Sequence, residues 1–70
     1  MSPLLDCLTA QQERVIALLA TGLDLHGVAR EMGVSWETAR SHRAEATRRL
    51  AARSTAHAVA MLVAAGRARP

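Results

Sequence analysis

Three residues, Gly33-Val34-Ser35, constrain this chain more than any other segment. Gly33 takes positive φ at little cost and so suits a sharp break between two helices. Val34 is apolar and can pin that break to a core. Ser35 is a strong N-cap, because its hydroxyl accepts from the free amides of a first helical turn. No Gly or Pro follows before Gly66. The helix that Ser35 starts is therefore expected over 36–51.

The flanking segments carry their own start and stop signals. Thr9 with Gln12 three residues later makes a capping box for a helix over 10–21, whose apolar face is Val15, Ile16, Leu18 and Leu19. Gly22 then Leu23 suits its end, with the leucine folding back onto the last turn. Asp24 caps a second helix over 25–32, with Val28, Ala29 and Met32 on one face. Gly27 inside it costs up to about 1 kcal/mol relative to Ala, which a close approach to another backbone would explain. Ser54 caps a last helix over 55–65 that is apolar almost all round. Its Ala58, Val59 and Leu62 can cover a core. The remainder, His57, Ala60, Met61, Val63 and Ala64, is left as a partner surface. No run shows the alternation of a strand, so the expected class is all-α with four helices.

Residues 8–66 thus form the expected domain, between an N-terminal extension, 1–7, and a short basic tail, 67–70. In the extension, Pro3, Leu4 and Leu5 either fray or extend the core. A chain of 70 residues allows one small domain, burying roughly 60% of its unfolded surface. The single cysteine, Cys7, can make neither an internal disulfide nor a metal site with a second thiol, and reads as a bystander in a reduced compartment. His26, His42 and His57 fall on three different helices with no acid or nucleophile at triad spacing, and no glycine-rich phosphate loop is present. Neither enzyme nor cofactor is expected. No apolar run approaches the ~20 residues that span a bilayer, so the expected setting is cytoplasmic, associated with the nucleoid.

The charge balance is +3, supplied by nine arginines and no lysine. Placement matters more than the total. Arg40, Arg43, Arg48, Arg49 and Arg53 stand against a single acid in that stretch, Glu45. At 100° per residue, Ala39, Ala46 and Leu50 share one direction of the third helix, taken as inward. Glu37, Ser41, Ala44 and Arg48 lie opposite, with Arg40 and Thr47 on a flank. Small and polar residues with arginine on an outward face suit a helix laid in a groove of double-stranded DNA. Arg40 can bridge two acceptors on a guanine edge or clamp a phosphate. Arg43 and Arg48 suit phosphate, which positions without specifying. Ser41 and Thr38 hydroxyls reach phosphate or base, although Thr38 can equally serve its own first turn. Ala44 can touch a thymine methyl or simply let the helix sit deep. Three roles are open to Trp36: packing on the sugar-phosphate backbone, stacking with Arg40, or sealing the core edge. Glu37 can accept from a cytosine amino group, complement the helix dipole or pair with Arg40.

Taken together, Leu8-Thr9, Val15-Ile16-x-Leu18-Leu19-Ala20-x-Gly22-Leu23 and Val28-Ala29-x-x-Met32-Gly33-Val34-Ser35-x-x-Thr38-Ala39-Arg40-x-His42 resemble the LuxR-type (GerE-like) helix-turn-helix. Arg49-Leu50, Ala58-Val59 and Gly66 continue the pattern. The resemblance implies a four-helix DNA-binding domain, the third helix entering the major groove and the fourth forming a dimer contact. It places Thr38, Arg40, Ser41, Ala44 and Arg48 toward DNA, and His42 beside the helix, near the backbone or packed against a neighbour. Ser35, Trp36 and Arg43, from the reading of the residues themselves, complete the expected DNA-binding set. The chain departs from the pattern at Gln11-Gln12 (often Arg-Glu), Ala44 (often Lys), Glu45 (usually Asn), Ala51 (usually Gly) and Thr55 (usually Arg). Region four of sigma factors shares the Gly-Val-Ser-x-x-Thr-x-Arg-Ser segment, but the apolar fourth helix argues against it. The resulting expectation is a stand-alone, homodimeric, sequence-specific transcription regulator. The alternative is an interaction module that pairs through helix 55–65 with a larger regulator or with RNA polymerase.

Overall fold

The computed structural model describes residues 7–70; the expectation for Pro3, Leu4 and Leu5 lies outside them. Four helices follow in order, α1 (Ala10–Ala20), α2 (Leu25–Met32), α3 (Trp36–Arg49) and α4 (Thr55–Ala64), with no strand among the described residues. The expected helices are present, and three end one or two residues early. Each starts directly after the residue whose side chain caps it. Thr9, Asp24, Ser35 and Ser54 accept from the amides of Gln12, Gly27, Thr38 and His57 respectively. Gln12 closes the box by accepting from the Thr9 amide at 3.1 Å, and it is the one polar residue buried among those described.

The helix ends separate glycine from its substitute. At the end of α2, Gly33 lies at φ 67°, and the amides of Gly33 and Val34 donate to the carbonyls of Arg30 and Ala29. At the end of α3 the same closure is made without glycine. Ala51 sits at φ 55°, with Ala51 and Ala52 donating to Arg48 and Thr47. That left-handed turn stops α3 at Arg49, short of the expected residue 51.

Packing is organised by α1, which touches all three other helices. One buried cluster holds Val15, Leu25, Val28, Ala29 and Ala39, with Val34 and Met32 packed on its edge. The other holds Ile16, Ala46, Leu50, Ala58 and Leu62, edged by Leu8, Val59, Met61 and Ala68. The inward direction expected for α3 is therefore the observed one. Burying side chains such as Ile16, Leu50 and Leu62 contributes roughly 1.5–3 kcal/mol each.

Leu23 is 37% exposed and lies beside Gly27. Two local expectations need correcting. Gly27 is explained by side chains rather than by a backbone. A Cβ there would stand 3.2 Å from Leu23 Cδ2 and 3.3 Å from Asp24 Oδ1, the atom that caps α2. The basic tail is tied to the domain, with Arg67 gripping Glu13 of α1 through Nη2 at 2.6 Å and Nε at 3.2 Å and Ala68 packed on the core. Cys7 is no bystander: its thiol donates to the Arg49 carbonyl at 3.4 Å while the Arg49 guanidinium donates to the Cys7 carbonyl at 3.0 Å.

Candidate nucleic-acid interface

Ser35 sets the start of α3 and thereby the rotation of every side chain beyond it. Its Oγ accepts from the Thr38 amide at 3.1 Å and donates to Thr38 Oγ1 at 2.9 Å. Both hydroxyls of the first turn are thus drawn into the cap. The Thr38 proton stays available to a ligand, because Thr38 Oγ1 serves the cap as an acceptor only. Behind the cap, Ala39 is fully buried, which turns Arg40, Ser41 and Ala44 outward, all exposed.

Trp36 takes the second of its three open roles and part of the third. It is 38% exposed on the border of the core, and the Arg40 guanidinium carbon lies 5.6 Å from its ring centroid. That is within the range of a cation–π contact. The contact takes up none of the guanidinium N–H groups in a hydrogen bond. Among the described residues Arg40 makes no hydrogen bond or ion pair, including none with Glu37. His26, in the first turn of α2, completes the group, its ring 5.8 Å from Trp36 and tilted by 24°.

The other end of α3 is arranged differently. Glu45 accepts from Arg48 Nη2 through both carboxylate oxygens, at 2.6 and 2.7 Å, and lies 3.6 Å from Arg49 Nε. The hydrogen bond from Arg48 is the largest cause that holds the Glu45 carboxyl below its usual value; desolvation opposes it in part, and the positive charges of Arg48 and Arg49 add to the lowering. Arg48 is exposed as expected but shares its charge with Glu45, which the outward wheel alone does not show. Arg43 is half-buried, and its carbonyl accepts from Thr47 Oγ1 at 2.9 Å. His42 is half-buried between Ala39 and Ala46 in sequence, and its Nε2 is buried without a hydrogen-bond partner among the described residues.

On α4, His57, Ala60 and Ala64 are exposed at i, i+3 and i+7, a continuous outward strip. Met61 is half-buried against the core, and Val63, also half-buried, lies on the flank of that strip. His57 has a local task as well, its Nδ1 accepting from the Arg53 amide at 3.0 Å. Among the described residues no cluster of His, Cys, Asp and Glu could hold a metal, and no helix is long and apolar enough to cross a membrane.

His26 is the member of this surface that the sequence did not mark. Its link to Trp36 depends on how α2 and α3 meet, and no local spacing carries that information.

Among known families, the one described as bacterial regulatory proteins, luxR family (GerE), matches residues 6–62. No curated protein matches the chain.

Proposed function

From the premise that this chain belongs to the LuxR family of bacterial regulatory proteins, and so carries a DNA-binding regulatory domain, we propose that it is a sequence-specific transcription regulator that reads the major groove with α3. The observation that carries this reading is Arg40, held against Trp36 with its N–H edge unpaired on the exposed side of α3. An edge of that kind matches the paired acceptors of guanine. Ser41, Ala44 and the Thr38 hydroxyl flank it as base or phosphate contacts. Ser35 and Trp36 sit at the backbone end, and Arg43 and Arg48 supply phosphate contacts along the helix.

The active form is a homodimer joined through the His57–Ala60–Ala64 strip, with Met61 and Val63 at its margins. Two copies then present two α3 helices to successive major grooves about one helical turn, roughly 34–36 Å, apart. The protein acts as a transcription regulator in the cytoplasm, without a cofactor and without catalysis.

Selection of bound duplexes from a random pool, followed by titration over salt, tests the reading. A recovered site with two half-sites and an affinity that falls steeply with salt supports it, since each phosphate contact releases counterions. Recovery of no preferred sequence overturns it. Ala60→Glu places a charge in the α4 strip; it should halve the sedimenting mass and weaken binding to the two-half-site duplex. An unchanged mass removes that strip from the dimer. Failure of DNA binding with capture of a larger regulator or of RNA polymerase through α4 would favour the interaction module instead.

A further inference from the structure

The pile at the head of α3 contains a residue that no recognition-helix pattern includes. His26 belongs to the first turn of α2, ten positions before Trp36 in the chain. Its ring nevertheless lies 5.8 Å from the Trp36 ring at 24° from parallel, an offset-stacked arrangement. Trp36 in turn carries the Arg40 guanidinium at 5.6 Å. The three side chains form a relay from α2 to the outward face of α3.

The geometry points to His26 as a positioning residue that fixes the base-reading arginine through Trp36, without itself touching DNA. Trp36 is the first residue of α3 and is 38% exposed, so the core alone holds only part of its ring. A ring so placed can turn about its side-chain torsions unless a second surface meets it. His26 is that surface. Arg40 has no hydrogen bond or ion pair among the described residues, so the Trp36 face is its only fixed rest. A long arginine loses much rotamer freedom when it binds a base edge. Holding it on an indole before DNA arrives removes part of that loss in advance.

The inference rests on α3 meeting DNA as proposed above, and it is tested in two steps. The first uses the full chain without DNA. Trp36 is the only tryptophan, so its emission and its quenching by iodide report the pile alone. His26→Ala should shift the emission and raise iodide quenching, and His26→Phe should restore both. The second step uses a duplex selected by the wild-type chain. His26→Ala should lower affinity about two- to tenfold, the range of one aromatic pair, and flatten the preference at the base pair that Arg40→Ala flattens. Added to Arg40→Ala it should cost nothing further, and His26→Phe should bind as wild type. A thermal melt confirms that the exposed His26 can be replaced without unfolding the chain.

An unchanged Trp36 signal in His26→Ala overturns the relay whatever the DNA result. Equal losses in His26→Phe and His26→Ala overturn it too, since the imidazole would then be a direct contact. An additive loss in the double variant also rejects coupling through Arg40. If the wild-type chain binds no duplex, the functional reading falls and takes this inference with it. Normal binding with an uncoupled His26 removes the inference alone.

Discussion

The two ends of α3 both carry arginine and dispose of it in different ways. At the head, Arg40 rests on Trp36 and keeps its N–H edge open. At the foot, Arg48 gives one nitrogen to both oxygens of Glu45, and Arg49 divides itself between Glu45 and the Cys7 carbonyl. The caps differ in the same sense. The head has Gly33 and a serine cap, each suited to its conformation, whereas the foot places an alanine at φ 55°. A tally of positive charges along the helix would rate the foot as the stronger site. The pairings show instead that the two ends differ in available donors rather than in total charge, and under the proposed function that difference would make the head the reading end.

The largest effect that would sharpen this contrast is on binding. Arg40→Ala should cost about 1–3 kcal/mol against the preferred duplex and relax preference at one base pair. Arg48→Ala should cost less and weaken all sequences alike. Equal losses from the two, measured by titration against matched and scrambled duplexes, would erase the distinction between the ends.

Next in size are the backbone exchanges. Ala51→Gly should stabilise the chain by roughly 0.5–1 kcal/mol, because alanine is costly in the left-handed region. Gly33→Ala should destabilise it by about 1–2 kcal/mol for the same reason. A Cβ at Gly33 meets no atom within 4 Å, so crowding does not enter. Denaturant melts decide both, and a neutral Ala51→Gly would mean that the foot is no less well capped than the head.

A smaller change is expected on removing the acid. Glu45→Gln frees Arg48 and Arg49, so DNA affinity at low salt should rise. The slope of log affinity against log salt should then steepen by roughly 0.9 for each further phosphate neutralised. An unchanged slope would show that the freed arginines do not reach the duplex. The least effect is on acid stability. With its carboxyl held below the usual value near 4.5, Glu45 favours the folded state above that value and loses this contribution as pH falls through its lowered one. Wild type should therefore lose slightly more stability than Glu45→Gln across that acid window, read from melts at stepped pH.

What could be read from the sequence was what neighbours along the chain decide. The four capping side chains, the buried alanine-leucine side of α3 and the break at Gly33 all follow from spacings within a single helix or its cap, and the structure has each of them. The pairing of Glu45 with Arg48 also lies within that reach, three residues apart, but the outward wheel assigns Arg48 to phosphate. Pairings across long separations were not legible. Arg67 with Glu13 and Cys7 with Arg49 are 54 and 42 positions apart. The His26–Trp36 stack depends on the angle at which two helices meet. Ala51 itself gave no local signal either, since alanine usually continues a helix rather than ending one; only the resemblance, with Gly usual at that position, pointed to an end there.

The division of the interior into two clusters reaches beyond packing. Ala39 is seated in one, Ala46 and Leu50 in the other, and Leu19 borders both. A rod gripped at two separate points can loosen by halves. Detaching α4 empties the grip around Leu50 and leaves the grip around Ala39 intact, so amide deuterium uptake in the last turns of α3 should keep pace with α4, and uptake near Trp36 with α2. Such a rod can hold its leading end still while its trailing end gives way.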